Sequence, residues 1–145
     1  MHLSRYTYKT NETFLDYEFY SIGPRGRVKK VVRFTQIGNG IFNLAFGDLD
    51  EYTGKISDIS VTNNEDSRKV LATVAAIVYS FTQHYPGMWV IALGSTHSRN
   101  RLYRIGIVTN LYEISSLFDI FGLKDNKWEP FKLQRDYTAF LVRRK

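Results

Sequence analysis

Apolar and polar residues alternate over residues 14–21, with Leu15, Tyr17 and Phe19 on one side and Asp16 and Glu18 on the other. That is the two-residue period of a half-buried strand. Gly23-Pro24-Arg25-Gly26 follows and supplies turn chemistry, glycine for positive φ and proline for a fixed φ. A return strand is expected over 28–37. Gly38-Asn39-Gly40 is a strong hairpin signal, because primed turns need residues that tolerate positive φ. Residues 41–46 alternate again and put Phe42, Leu44 and Phe46 on one side. Beyond a polar loop at Asp48-Leu49-Asp50-Glu51, a fourth short strand is expected over 56–61.

The period then lengthens. Val70, Leu71, Val74, Ile77, Val78 and Phe81 form the apolar stripe of an amphipathic helix over 66–84. Asn63, Asn64, Asp66 or Ser67 can cap its start, and Tyr85-Pro86-Gly87 ends it. Residues 88–93 are apolar on both faces, as in the middle of a sheet. A second helix is expected from about 96–98 to 109 and a shorter one over 111–118, followed by closing strands at 121–123, 128–133 and 137–142. The reading is one α+β domain over residues 1–145, with a mixed, mostly antiparallel sheet. A four-strand meander leads into helix–strand–helix and the closing strands. A strand reached through a helical crossover is expected to run parallel to a meander strand.

Composition narrows the possible chemistry. The chain has 145 residues, 43% of them hydrophobic and 15% aromatic, which excludes a disordered class. It has no cysteine, so disulfides, zinc–thiolate sites and a cysteine nucleophile are excluded together. His2, His84 and His97 are scattered, and no metal site is expected from them. No apolar run approaches the roughly 20 residues of a membrane-spanning helix. The first residues lack the apolar stretch of a signal peptide, so the expected location is the cytoplasm. The net charge of +6 and pI near 9.5 favour anionic partners.

The densest polar cluster is Ser95, Thr96, His97, Ser98, Arg99, Asn100, Arg101 and Arg104, where the buried strand meets its helix. Ligands commonly lie off the carboxyl ends of strands in sheets with helical crossovers, and a helix N-terminus there suits an anion. His97, Arg101 and Arg104 fall on one helical face, and Leu102, Ile105 and Thr109 form a neighbouring stripe expected to face the core. Two readings stay open: a phosphate or carboxylate site, or a solvated basic face with ordinary Ser and Thr caps. A second basic group, Arg25, Arg27, Lys29, Lys30 and Arg33, lies on the first hairpin. It either tracks a nucleic-acid backbone or blunts a sheet edge. Arg143-Arg144-Lys145 is read as a solvated tail, and most of the aromatics as core.

Two resemblances follow from longer stretches. The order of elements over about residues 27–142 resembles the GNAT acyltransferase fold, and Leu102-Tyr103-Arg104-Ile105-Gly106-Ile107 is similar to its L-Y-x-x-x-G-F pattern, one residue short. That resemblance implies coenzyme A as cofactor and Tyr103 as general acid. The stretch matching the family's pyrophosphate-binding turn, 62–69, has no glycine and carries Glu65 and Asp66. Gly94-Ser95-Thr96, Arg99 to Arg104, Phe118 to Gly122 and Tyr137 to Val142 are together similar to a bacterial family of small domains of unknown function. The leading functional expectation is binding of a nucleic acid or nucleotide at the helix-start cluster, without a cofactor. The alternatives are an acyl-CoA acyltransferase and a protein partner in a toxin–antitoxin or phage-defence pair.

Overall fold

The computed structural model describes residues 4–57, 64–94 and 96–145. A two-residue strand, β1 (Lys9–Thr10), precedes β2 (Asp16–Gly23), β3 (Gly26–Gly38) and β4 (Ile41–Asp48), all antiparallel neighbours. Next come α1 (Ser67–His84), β5 (Trp89–Ala92), α2 (His97–Thr109), α3 (Leu111–Leu117), β6 (Phe118–Lys124), β7 (Lys127–Pro130) and β8 (Ala139–Arg144). They form one eight-stranded sheet in the order β1-β2-β3-β4-β5-β8-β6-β7. β5 pairs with β4 in parallel, Phe42 opposite Val90, and every other pairing is antiparallel. The mixed α+β sheet is as expected.

Several boundaries differ. The meander acquires β1, and the fourth strand expected over 56–61 falls mostly outside the described residues. Ile56 itself makes an isolated antiparallel bridge with Leu49. β6 is longer than expected because Asp125 and Asn126 both take positive φ, 51° and 62°, and close a tight two-residue hairpin to β7. Residues 131–138 are not strand; they pass across β6 before β8 begins, the Phe131 amide donating to the Ile120 carbonyl at 3.0 Å and the Thr138 amide to the Leu123 carbonyl at 2.9 Å. Tyr137 lies over Gly122, where an added Cβ would come within 2.3 Å of the ring.

The core lies on one face of the sheet. Tyr17, Phe19, Val32, Phe34, Phe42, Leu44, Phe46, Val90 and Phe140 meet Val70, Val74, Ile77 and Phe81 of α1. Phe34 and Phe81 stack at 3.9 Å between ring centroids. α2 turns Arg99 and Tyr103 inward, whereas Ile105 is 42% exposed. The stripe expected from Leu102, Ile105 and Thr109 is therefore rotated. α2 lies close to α1 there, and an added Cβ at Gly106 would meet Leu71 at 3.2 Å.

A polar cluster fixes the start of α1. The Asp66 carboxylate accepts from the Tyr6 and Ser21 hydroxyls, both at 2.6 Å, and makes no side-chain cap to its own helix. Buried Asn64 accepts from the Arg25 amide at 2.7 Å and donates to the Gly26 carbonyl at 2.9 Å. One asparagine thus satisfies both sides of the β2–β3 turn. Burial first, and then the bond to Asp66, raise the Tyr6 pKa above 10.0.

Leu71 and Gly106 border an apolar gap of about 90 Å³ between the helices and the sheet. Glycine in a helix interior costs about 0.5–1 kcal/mol relative to alanine, and the gap gives Leu71 room to move. Gly106→Ala is therefore expected to raise stability by about 0.5–1 kcal/mol in denaturant unfolding.

Candidate functional site

The carboxyl ends of β4 and β5 lead into α1 and α2, and β6 runs in the same direction as β5. The starts of both long helices and the β6–β7 turn therefore gather at one end of the sheet. Gly94 makes the step from β5 to α2 possible, since an added Cβ would lie 2.4 Å from the Asn100 amide nitrogen.

A cleft of about 750 Å³ opens at this end, lined by His97, Ser98, Asn100, Arg101, Arg104, Lys124, Asp125, Asp136 and Thr138 among others. Thr96 caps α2, its hydroxyl accepting from the Arg99 amide at 3.1 Å. Other amides of the first turn have no intrahelical acceptor. Asn100 donates to the Tyr137 carbonyl at 2.6 Å and ties α2 to the segment before β8. Its Oδ1 is buried and has no hydrogen-bond partner.

The expected cluster divides by orientation. His97, Ser98 and Arg101 line the cleft. Ser95 lies outside the described residues. Arg99 does not line the cleft: it is 5% exposed and donates to the Ser57 carbonyl at 2.7 Å. Its position one turn before Tyr103 puts it on the inward face of α2. Arg104 borders the cleft, but its guanidinium donates to the carbonyls of Arg135 and Leu133 at 2.6 and 2.5 Å and so holds the 131–138 segment. Tyr103 is 8% exposed and lines the apolar gap, not the cleft.

Lys124, Asp125 and Asp136 were not legible as site residues. They lie 20 to 40 positions along the chain from the α2 cluster in an otherwise unremarkable turn and loop, and only the β6–β8 pairing brings them there. Among the described residues, Arg101, Lys124, Asp125 and Asp136 make no ion pair. The cleft thus carries unneutralised charge of both signs.

Four of the five hairpin cations are committed elsewhere. Arg33 pairs with Asp16 at 2.5 Å and Lys29 with Glu18 at 3.2 Å, with Glu18 as the main cause of a raised Lys29 pKa. Arg27 lies over the Tyr20 ring at 3.7 Å, and Arg25 is exposed at the turn. Lys30 is no surface group. It is 1% exposed and ion-paired with Asp48, because its place in β3 alternates with Arg27 and Lys29 and points to the core face.

The chain belongs to DUF6934. That family of unknown function has a model that matches residues 2–145. No curated protein and no solved structure matches the chain. Among the described residues no helix is long and apolar enough to cross a membrane, and no three His, Cys, Asp or Glu side chains group as metal ligands do.

Two predictions concern the groups around this end. Removing one partner of a buried ion pair costs about 3–5 kcal/mol, so Lys30→Ala is expected to destabilise by about that amount in denaturant unfolding. Tyr137 donates to Glu129 at 3.1 Å and accepts from the Lys132 amide at 3.0 Å. Burial, and then the bond to Glu129, raise its pKa above 10.0. The folded state therefore holds this proton more tightly than the unfolded chain does. The resulting stability is complete below the unfolded value and is lost as pH rises through the folded one. Tm is expected to fall above about pH 10, with a shallower fall in Tyr137→Phe.

Proposed function

We propose that the cleft at the start of α2 binds a phosphate-bearing ligand of nucleotide size. The observation that carries this reading is the contrast in commitment of the cations. Arg101 and Lys124 face the cleft without an ion-pair partner among the described residues, whereas Lys29, Lys30 and Arg33 of the hairpin are each paired. Anions are favoured where unpaired cations meet a helix N-terminus. The cleft volume of about 750 Å³ lies within the roughly 300–1,000 Å³ typical of small-ligand sites.

Asp125 and Asp136 favour a single nucleotide over a nucleic acid. Carboxylates beside the phosphates of a continuous backbone repel it. The same carboxylates can accept hydrogen bonds from the hydroxyl or amino groups of one bound nucleotide. Of the hairpin cations that a nucleic acid would need for a wider footprint, Lys29, Lys30 and Arg33 are already neutralised by Glu18, Asp48 and Asp16.

Calorimetric titration with mono-, di- and triphosphate nucleotides is expected to detect binding that Arg101→Ala and Lys124→Ala each weaken about tenfold, the effect of losing one charge-assisted hydrogen bond. Lys29→Ala is expected to leave affinity unchanged. Absence of binding at millimolar nucleotide would refute the proposal. Tighter, steeply salt-dependent binding of mixed-sequence DNA or RNA would replace the nucleotide with a nucleic acid. A rise in Tm with coenzyme A that depends on Tyr103 and not on Arg101 would favour the acyltransferase reading.

A further inference from the structure

All three helices pack on the face that carries Val90, Phe140 and Val142, so strand alternation turns a different set of side chains to the opposite face. The register places Ile41 beside Trp89, Ile91 beside Leu141, Leu141 beside Phe121, and Leu123 beside Trp128. Trp89 and Phe121 touch edge to face at 5.7 Å. These residues are half-buried or more open, and Trp128 is 41% exposed. No described helix covers this apolar strip.

We infer that this open face of the sheet pairs with the same face of a second copy to form a two-fold dimer. Two features point to a copy of this chain as the occupant. The first is charge complementarity to itself. Asp119 and Arg143 lie opposite each other in the β6–β8 register beside Trp89. Both are exposed, and they form no ion pair with each other. A two-fold axis running between β6 and β8 sets Asp119 of each copy against Arg143 of the other, which is the reciprocity an isologous interface requires.

The second feature is size. With the axis there, β5, β8, β6 and β7 overlap those of the copy, about 19 Å of sheet at about 4.8 Å per strand. With roughly four to six residues of strand depth they present on the order of 250–400 Å² per partner, the size of a weak, concentration-dependent interface.

The chain's two tryptophans, Trp89 and Trp128, both lie on this face, so association has its own optical signal. Sedimentation velocity over a dilution series up to about 0.1 mM is expected to show a monomer–dimer equilibrium, with tryptophan emission shifting to the red on dilution. Arg143→Glu is expected to weaken the dimer at least tenfold, and adding Asp119→Arg to restore it. Trp128→Glu, in an exposed hairpin, is a second disrupting variant. Circular dichroism on each variant distinguishes lost association from lost folding. A wild-type chain that sediments as a folded monomer at every concentration overturns the inference. So does a dimer untouched by both Arg143→Glu and Trp128→Glu.

Discussion

The parallel pairing of β4 with β5 forces a crossover, because two parallel strands cannot be joined by a tight turn. α1 is that crossover, and its apolar stripe of Val70, Val74, Ile77 and Phe81 settles on the face already occupied by Phe34, Phe42 and Phe46. Once α1 has taken that face, α2 and α3 pack beside it to complete the same layer. Two consequences follow together. Both long helices begin at the carboxyl end of the parallel pair, where the cleft opens. The other side of the sheet is left without a helical layer.

The end of the sheet that carries the cleft is held by polar contacts more than by apolar ones. Asn64 and Asp66 tie the β2–β3 turn to the start of α1 through Arg25, Gly26, Ser21 and Tyr6. Asn100 and Arg104 tie α2 to the segment before β8. Low dielectric makes such satisfied polar contacts specific and makes unpartnered ones costly. The cleft residues Arg101, Lys124, Asp125 and Asp136 make no ion pair among the described residues, whereas Arg104 beside them is held by two carbonyls of the fold.

The same sorting explains why a net charge of +6 says little by itself. Lys30 is spent in a buried ion pair, Arg99 on a loop carbonyl and Arg104 on two more. Arg33 and Lys29 face acids one strand away. Arg101 at the start of α2 and Lys124 across the cleft keep their charge free for a ligand.

Local patterning determined much of the fold. Alternation marked β2, β3 and β4, the Gly38-Asn39-Gly40 turn joined two of them, and the helical stripe at 70–81 marked α1, because each depends on neighbours a few residues apart. The strip of Trp89, Ile91 and Leu141 was legible as strand but not as an open face, since an apolar residue reads the same whether or not a helix covers it. Arg99 and Lys30 looked like surface cations, because a sequence records their charge but not the direction of their side chains. Tertiary structure alone decided the inward turn of α2, which buries Arg99 and Tyr103. It also decided the meeting of Arg101 with Lys124, Asp125 and Asp136, because that depends on β8 inserting between β5 and β6. Such a long-range pairing leaves no mark at any single position.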